Sequence, residues 1–325
     1  MTSQERSIVT PIVYYNLLDR PLTLVEIYKY QAREGDLPKI SLAKLKEQLK
    51  CSPCLINLIL EENGIYSLAD QPKIREIRNS RLKTAQLKWK KVKKLIPYFT
   101  LIPFARLVAA TGSLTAYNTT LASDFDILLT TKSNRLWLTR IFSILITGLL
   151  GKRRHGKLTQ DRLCLNCFIE EDKAKIKNEA KPHNWHSAQE YTRLTPLLEI
   201  KKNDYQNFIK QNQWLADFFS IYPWPNNQTA NKIEPSRLLN KIRGFAEWLF
   251  AGSVGDWLER KCHHWQESRI IEKSQKQKNP SDQIYAGQGA LMLHPQSKNQ
   301  QLIIDFTLKM QQLTNNTYAT NQHQN

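Results

Sequence analysis

No stretch of this 325-residue chain is apolar for long enough to cross a bilayer. The longest charge-free apolar run lies between Arg140 and Lys152, IFSILITGLLG, well short of the roughly 20 residues that a spanning helix needs. It reads as a buried helix; Lys152, Arg153, Arg154 and Lys157, which follow it, leave a membrane-surface helix as the alternative. Thr2, Ser3, Gln4, Glu5 and Arg6 form a polar start with no apolar leader, so the expected compartment is the cytoplasm. Cysteine is scarce and odd in number, five in all, which argues against a disulfide framework. Of two Cys-x-x-Cys pairs, Cys164 and Cys167 fall in an expected strand, where residues three apart face opposite sides and do not share a metal. Cys51 and Cys54 flank Pro53 and read as small hydrophobes at a turn.

Acidic residues are also few, 29 against 47 Lys and Arg, a formal charge of +18. Ten of the basic residues lie between Lys73 and Lys94, with Glu76 the one acid among them. Such clustering is the footprint of a polyanion-binding surface or, more blandly, the solvated face of a helix in a basic protein. Lys88, Lys90, Lys91 and Lys94 are its candidate nucleic-acid contacts.

With 41% hydrophobic residues the chain can bury a core, and its pattern implies an α+β protein of several parts. Residues 8–30 read as two helices, with Thr23 and Glu26 as a capping box. A third helix starts at Ser41, and Asn63-Gly64 between apolar segments signals a hairpin. Helices followed by a hairpin are the order of a winged helix-turn-helix, over residues 1–70. Its recognition helix, the one from Ser41, offers Lys44, Lys46, Gln48 and Lys50 but no arginine, so phosphate contacts are expected there rather than base reading. A basic connecting helix is expected over 71–97, an αβ core over 98–180, a helical region over 181–314 and a disordered tail over 315–325.

The chemistry-bearing segment runs Thr111-Gly112-Ser113, then Asp124-Phe125-Asp126, then Ile127, Leu128 and Leu129. In a strand, residues two apart share a face, so Asp124 and Asp126 present two hard oxygen ligands to one point, which suits magnesium. Gly112 permits a tight turn and close backbone approach. Ser113 is expected to open a helix over Leu114–Asn118 whose N-terminus faces a phosphate. Arg135 and Arg140, on the helix at 134–150, are placed to reach a phosphate as well.

These residues resemble the Gly-Ser … Asp-x-Asp signature of the nucleotidyltransferase superfamily that shares the DNA polymerase β-like core. The match covers roughly residues 100–175. The whole layout, down to His294-Pro295, is similar to bacterial nucleotidyltransferase-domain proteins that begin with a winged helix. The resemblance implies nucleotidyl transfer from a nucleoside triphosphate to an unidentified acceptor. It implies that Gly112 and Ser113 hold the triphosphate and that Asp124 and Asp126 ligate two magnesium ions, which stabilise the attacking and leaving oxygens.

The chain departs from that pattern at the third carboxylate, usually carried on the following strand. That strand is expected over Arg162–Ile169, with Cys164 and Asn166 on the inward face. An amide at Asn166 can ligate weakly but cannot act as a base. Asp161, Glu170 and Glu171 stand at the strand's ends. The alternative function is therefore a degenerate nucleotidyltransferase fold acting as a nucleic-acid-binding or regulatory protein. His183 with His186, and Cys262-His263-His264, read as packing residues rather than ligands. Trp248, Trp257 and Trp265 read as C-terminal core.

Overall fold

The computed structural model describes residues 1–70, 74–156, 158–224, 231–277, 283–287, 289–294 and 299–322. In chain order the first elements are α1 (Ser3–Asn16), β1 (Leu22–Thr23), α2 (Leu24–Lys29), α3 (Leu42–Cys51), α4 (Pro53–Leu58), β2 (Ile59–Glu62), β3 (Ile65–Leu68) and α5 (Ile74–Leu95). Next come β4 (Ala105–Ala110), α6 (Gly112–Thr115), β5 (Phe125–Thr131), α7 (Leu136–Leu149), β6 (Leu163–Glu170), α8 (Trp185–Thr192), β7 (Thr195–Glu199) and α9 (Asp204–Gln211). The chain ends with α10 (Arg237–Leu249), α11 (Gly252–Gln277), β8 (Gln283–Gly287), β9 (Ala290–His294) and α12 (Asn299–Gln322). The protein is thus a mixed α+β structure with two sheets. No helix among the described residues is long and apolar enough to cross a membrane.

Two units divide the chain. The first combines Met1–Leu82 with Trp214–Pro225 and Lys298–Asn325. Its start is set by caps: Thr2 with Glu5 closes a capping box on α1, and Thr23 with Glu26 closes the anticipated one on α2. Ser41 caps α3. Asn63 and Gly64 both take left-handed backbone, φ +52° and +77°, the geometry of a tight hairpin turn between β2 and β3. β1 pairs with β3, giving the order β1-β3-β2. α1 buries Ile8, Val9, Ile12 and Val13, and Phe306 of α12 meets Tyr14 edge-to-face at 5.8 Å. α12 therefore runs to Gln322 through most of the segment expected to be a disordered tail, because extending an established helix costs little per residue. Residues 323–325, Lys73, Lys157 and Pro295 lie outside the described residues.

The second unit, Lys83–Gln213 and Asn226–Ser297, is built on a six-stranded sheet of order β7-β4-β5-β6-β9-β8. β5 and β6 are parallel and joined through α7, while the other pairs are antiparallel. Phe125, Ile127 and Leu129 of β5 point into a core that also holds Trp89, Val92, Phe99, Leu163 and Phe168. The region read as helical over 181–314 thus supplies three strands. β7 carries Pro196, which normally argues against a strand but is tolerated on the edge of a sheet, where β7 lies. α7 buries one face, Leu136, Leu138, Thr139, Ser143 and Thr147, but leaves Leu145 and Leu149 exposed, so it is not the fully buried helix expected. Trp248, Trp257 and Trp265 are also exposed, each by half or more. They are not core, because they lie on the outer faces of α10 and α11.

Candidate functional site

The amino ends of β5 and β6 meet the end of β4 at one corner. The Thr111 N–H donates to the Asp126 carbonyl at 3.0 Å, drawing the chain after β4 against β5. Gly112 follows at φ +67°, and a Cβ there would stand 2.5 Å from Asp126 Oδ2. Position 112 therefore requires glycine for both backbone angle and space. α6 is a single turn rather than a helix to Asn118. One turn carries little macrodipole, so the helix-terminus argument for Ser113 does not hold, although Ser113 does sit at this corner.

Asp124, Asp126 and Cys164 present ligand atoms within 4.8 Å of one another. Asp126 lies opposite Cys164 in the parallel register. Beyond it the register slips: Leu165 faces Ile127 and Cys167 faces Leu128, leaving Asn166 as the extra residue of a bulge. Asn166 is 6% exposed, and its Nδ2 donates to Asp126 Oδ1 at 2.8 Å. Its Oδ1 is buried with no protein partner among the described residues. Asn166 thus stands against Asp126, as the strand alternation predicts, though on a bulge.

Burial first, then the charges of Asp124 and Glu190, push the Asp126 carboxyl up to about 7, against a pull downward from Arg154. Burial, then Asp126, pushes the Cys164 thiol far above its usual range, so it stays protonated and is a poor ligand. The donors left are hard oxygens: the Asp124 and Asp126 carboxylates and the unpartnered Asn166 Oδ1. This set fits a hard divalent cation better than a soft one.

Two residues at the corner escape sequence reasoning. Arg154 Nη1 meets Asp124 Oδ2 at 2.6 Å and donates to Cys164 Sγ at 3.3 Å. In sequence it is one of a basic cluster after an apolar run. Glu190, on α8, carries the second charge felt by Asp126 and pairs with the buried Lys181 at 3.0 Å. It is 64 residues beyond Asp126 with no motif around it, so no local signal marks it.

Other expected site residues are elsewhere. Arg135 follows the far end of β5, about 17 Å from Asp126 at the usual strand rise. It pairs with Asp256 at 2.7 Å and stacks on Phe104. Arg140 is half-buried against Gln266, and desolvation, then Arg153, lowers it to about 10. Neither faces the Gly112 corner. Lys88 is also no phosphate contact. It is 2% exposed and donates to the Leu121 and Ser123 carbonyls and to Asp161, which Lys91 also holds. Lys90 and Lys94 remain exposed.

Asp161 does not stand in for a third carboxylate: burial is outweighed by hydrogen bonds from Lys88 and Lys91, which hold its carboxyl low. Glu170 accepts from the Asn134 N–H and pairs with Lys173 at the opposite sheet end, and Glu171 pairs with Lys201. His183 meets the Ile176 carbonyl and His263 stacks on Trp137, both as packing residues. No protein-family model matches this chain, no curated protein matches it, and no solved structure matches it.

Proposed function

We propose that this chain is a magnesium-dependent nucleotidyltransferase, with a winged helix made from α1–α4 and the β2–β3 hairpin and a polymerase β-like core around β4–β6. The observation that carries the reading is the Gly112 corner: a glycine backbone pressed on Asp126, beside Asp124 and an unpartnered Asn166 amide oxygen. Asp124 and Asp126 hold the metal, and Asn166 aims Asp126 and offers a further oxygen. Gly112 and Ser113 admit the triphosphate to the backbone. Arg154 is the cation that meets phosphate oxygens when it leaves Asp124. Magnesium, when bound, would supply charge neutralisation for an in-line displacement at the α-phosphorus that releases pyrophosphate, which needs no protein nucleophile. Glu190 is the remaining acidic group whose charge reaches Asp126.

A second reading has its own support. Asn166 stands against Asp126 where the resemblance expects a carboxylate, and Arg154 pairs with Asp124, which favours a domain that binds nucleotide without transferring it and works as a nucleic-acid-binding or regulatory protein in the cytoplasm. The deciding experiment incubates the protein with each α-phosphate-labelled triphosphate, with and without magnesium, and a panel of RNA, DNA and protein acceptors. The first reading expects magnesium-dependent labelling that Asp124→Asn with Asp126→Asn abolishes. Magnesium-dependent triphosphate binding without labelling favours the second. Absence of both overturns the site.

A further inference from the structure

Five of the six lysines of α5 fall into two groups with different surroundings. Lys88 and Lys91 are held by Asp161. Lys83, Lys90 and Lys93 lie on another face, one or two helical turns apart together with Gln86 and Leu87, and have no acidic partner among the described residues. They line a cleft of about 490 Å³ whose opposite wall is Tyr117. Tyr117 follows the α6 turn only five residues after Gly112, and its φ of +52° is strained for a bulky side chain. That backbone holds the ring outward, 39% exposed, and Trp89 backs it at 6.2 Å from within the core. Trp89 is 5% exposed, and its indole N–H has no protein acceptor among the described residues.

A rigid exposed aromatic ring faced by unpaired lysines, in a cleft large enough for one base, is the arrangement that binds single-stranded nucleic acid. The base stacks and the backbone phosphates meet the ammonium groups. A duplex keeps its base faces stacked inside and offers Tyr117 nothing. An acidic peptide offers charge but no ring to stack. We propose that the cleft between α5 and Tyr117 binds single-stranded nucleic acid, one base against Tyr117 and phosphates on Lys83, Lys90 and Lys93. Only the further step, that the bound strand is the acceptor of transfer at the adjoining Gly112 corner, rests on the nucleotidyltransferase reading.

The test is fluorescence anisotropy with labelled 12-nucleotide single-stranded RNA and DNA, a 12-base-pair duplex and a poly-glutamate peptide, with neither magnesium nor triphosphate present. Single strands are expected to bind tightest. Tyr117→Asn, which removes the ring at a residue type that tolerates left-handed backbone, is expected to weaken them about 5- to 150-fold, the value of one stacked base. Tyr117→Phe should bind like the wild type. Replacing Lys83, Lys90 and Lys93 by Gln should reduce the slope of log affinity against log salt by about 2, from about 0.7 per single-strand phosphate contact. Equal binding of duplex or poly-glutamate, or unchanged affinity in Tyr117→Asn, overturns the proposal. Asp126→Asn should leave binding intact, so failure here and failure of labelling in the transfer assay are separate results.

Discussion

Acidic residues gather around both ends of the β5–β6 pair, in opposite circumstances. Around the carboxyl end, Glu247 accepts from the Phe104 N–H and pairs with Arg106 and Arg243. There too, Glu259 accepts from the Trp137 and Leu138 N–H groups at the start of α7, and Glu170 takes Asn134 and Lys173. At the amino end Asp124 and Asp126 crowd together, with Arg154 touching Asp124 and, among the described residues, one amide oxygen unanswered. Matched acids hold a structure together. Crowded and partly unmatched ones cost stability, and a fold retains such a cluster most readily where a ligand completes it.

The comparison breaks most visibly at Glu247. Arg106 and Arg243 are about 12% and 11% exposed, so Glu247→Ala leaves the mostly buried Arg243 guanidinium without a carboxylate among the described residues and Arg106 with only the longer pair to Glu171 at 3.9 Å. A loss of about 3–5 kcal/mol is expected, read by urea unfolding. A loss under about 1 kcal/mol would show that the carboxyl end is no more tightly matched than the surface.

At the other end removal of an acid should act with the opposite sign. The Asp126 carboxyl is raised from 3.8 to about 7, so between those values the folded protein holds a proton that the unfolded chain has released. Stability from this group therefore falls as pH rises through that window. Asp126→Asn removes the penalty. In metal-free protein it should be more stable than wild type at pH 8, by on the order of 2–4 kcal/mol, with the gain shrinking toward pH 5. Burial first, then Asp124 and Glu190, raise this group against Arg154 and Cys164, and thermal melts at the two pH values measure the effect. An Asp126→Asn protein less stable at pH 8 than wild type would mean the carboxylate is matched after all.

Gly112 tests how tightly that corner is built. Gly112→Ala forces a Cβ into left-handed backbone, worth about 1–2 kcal/mol, and pushes the Asp126 carboxylate from its place beside Asn166. A stability loss of that size should accompany loss of magnesium-dependent triphosphate binding by calorimetry. Retained binding would separate Gly112 from the site.

Much of this corner was legible in the chain because its signals are local. Gly112, the Asp124–Asp126 spacing and the alternation that sends Asn166 toward Asp126 each depend on residues within one turn or one strand. The hairpin at Asn63-Gly64 and the Thr23–Glu26 box were legible for the same reason. What escaped depends on pairing across long separations. Arg154 and Glu190 arrive through a loop and a distant helix, β7 and β9 are short strands whose partners β4 and β6 lie far along the chain, and β8 joins the sheet only through β9. Arg135 and Arg140 were misplaced because helix position gives no account of direction along the sheet. Lys88 was misplaced because a lysine in a basic run gives no sign that it is buried.

The smallest expected effect is also the one that separates the two functional readings most finely. Arg154 is about a third exposed, so its pair with Asp124 is worth under about 1 kcal/mol, and Arg154→Gln should barely change unfolding. Its charge is one of the influences that lower the Asp126 carboxyl, so that group should titrate somewhat higher in the variant. The guanidinium and a metal compete for the same Asp124 oxygen. Calorimetry at pH 8, where Asp126 is largely ionised, should therefore show magnesium alone binding a few-fold more tightly to Arg154→Gln. With triphosphate present the sign should reverse, because the arginine freed from Asp124 has phosphate oxygens to meet and glutamine cannot replace it. Tighter binding in both titrations would make Arg154 an occupant that blocks the site, as the degenerate reading holds. Weaker binding of magnesium alone would remove the competition argument and leave Arg154 as a support for the Asp124 loop.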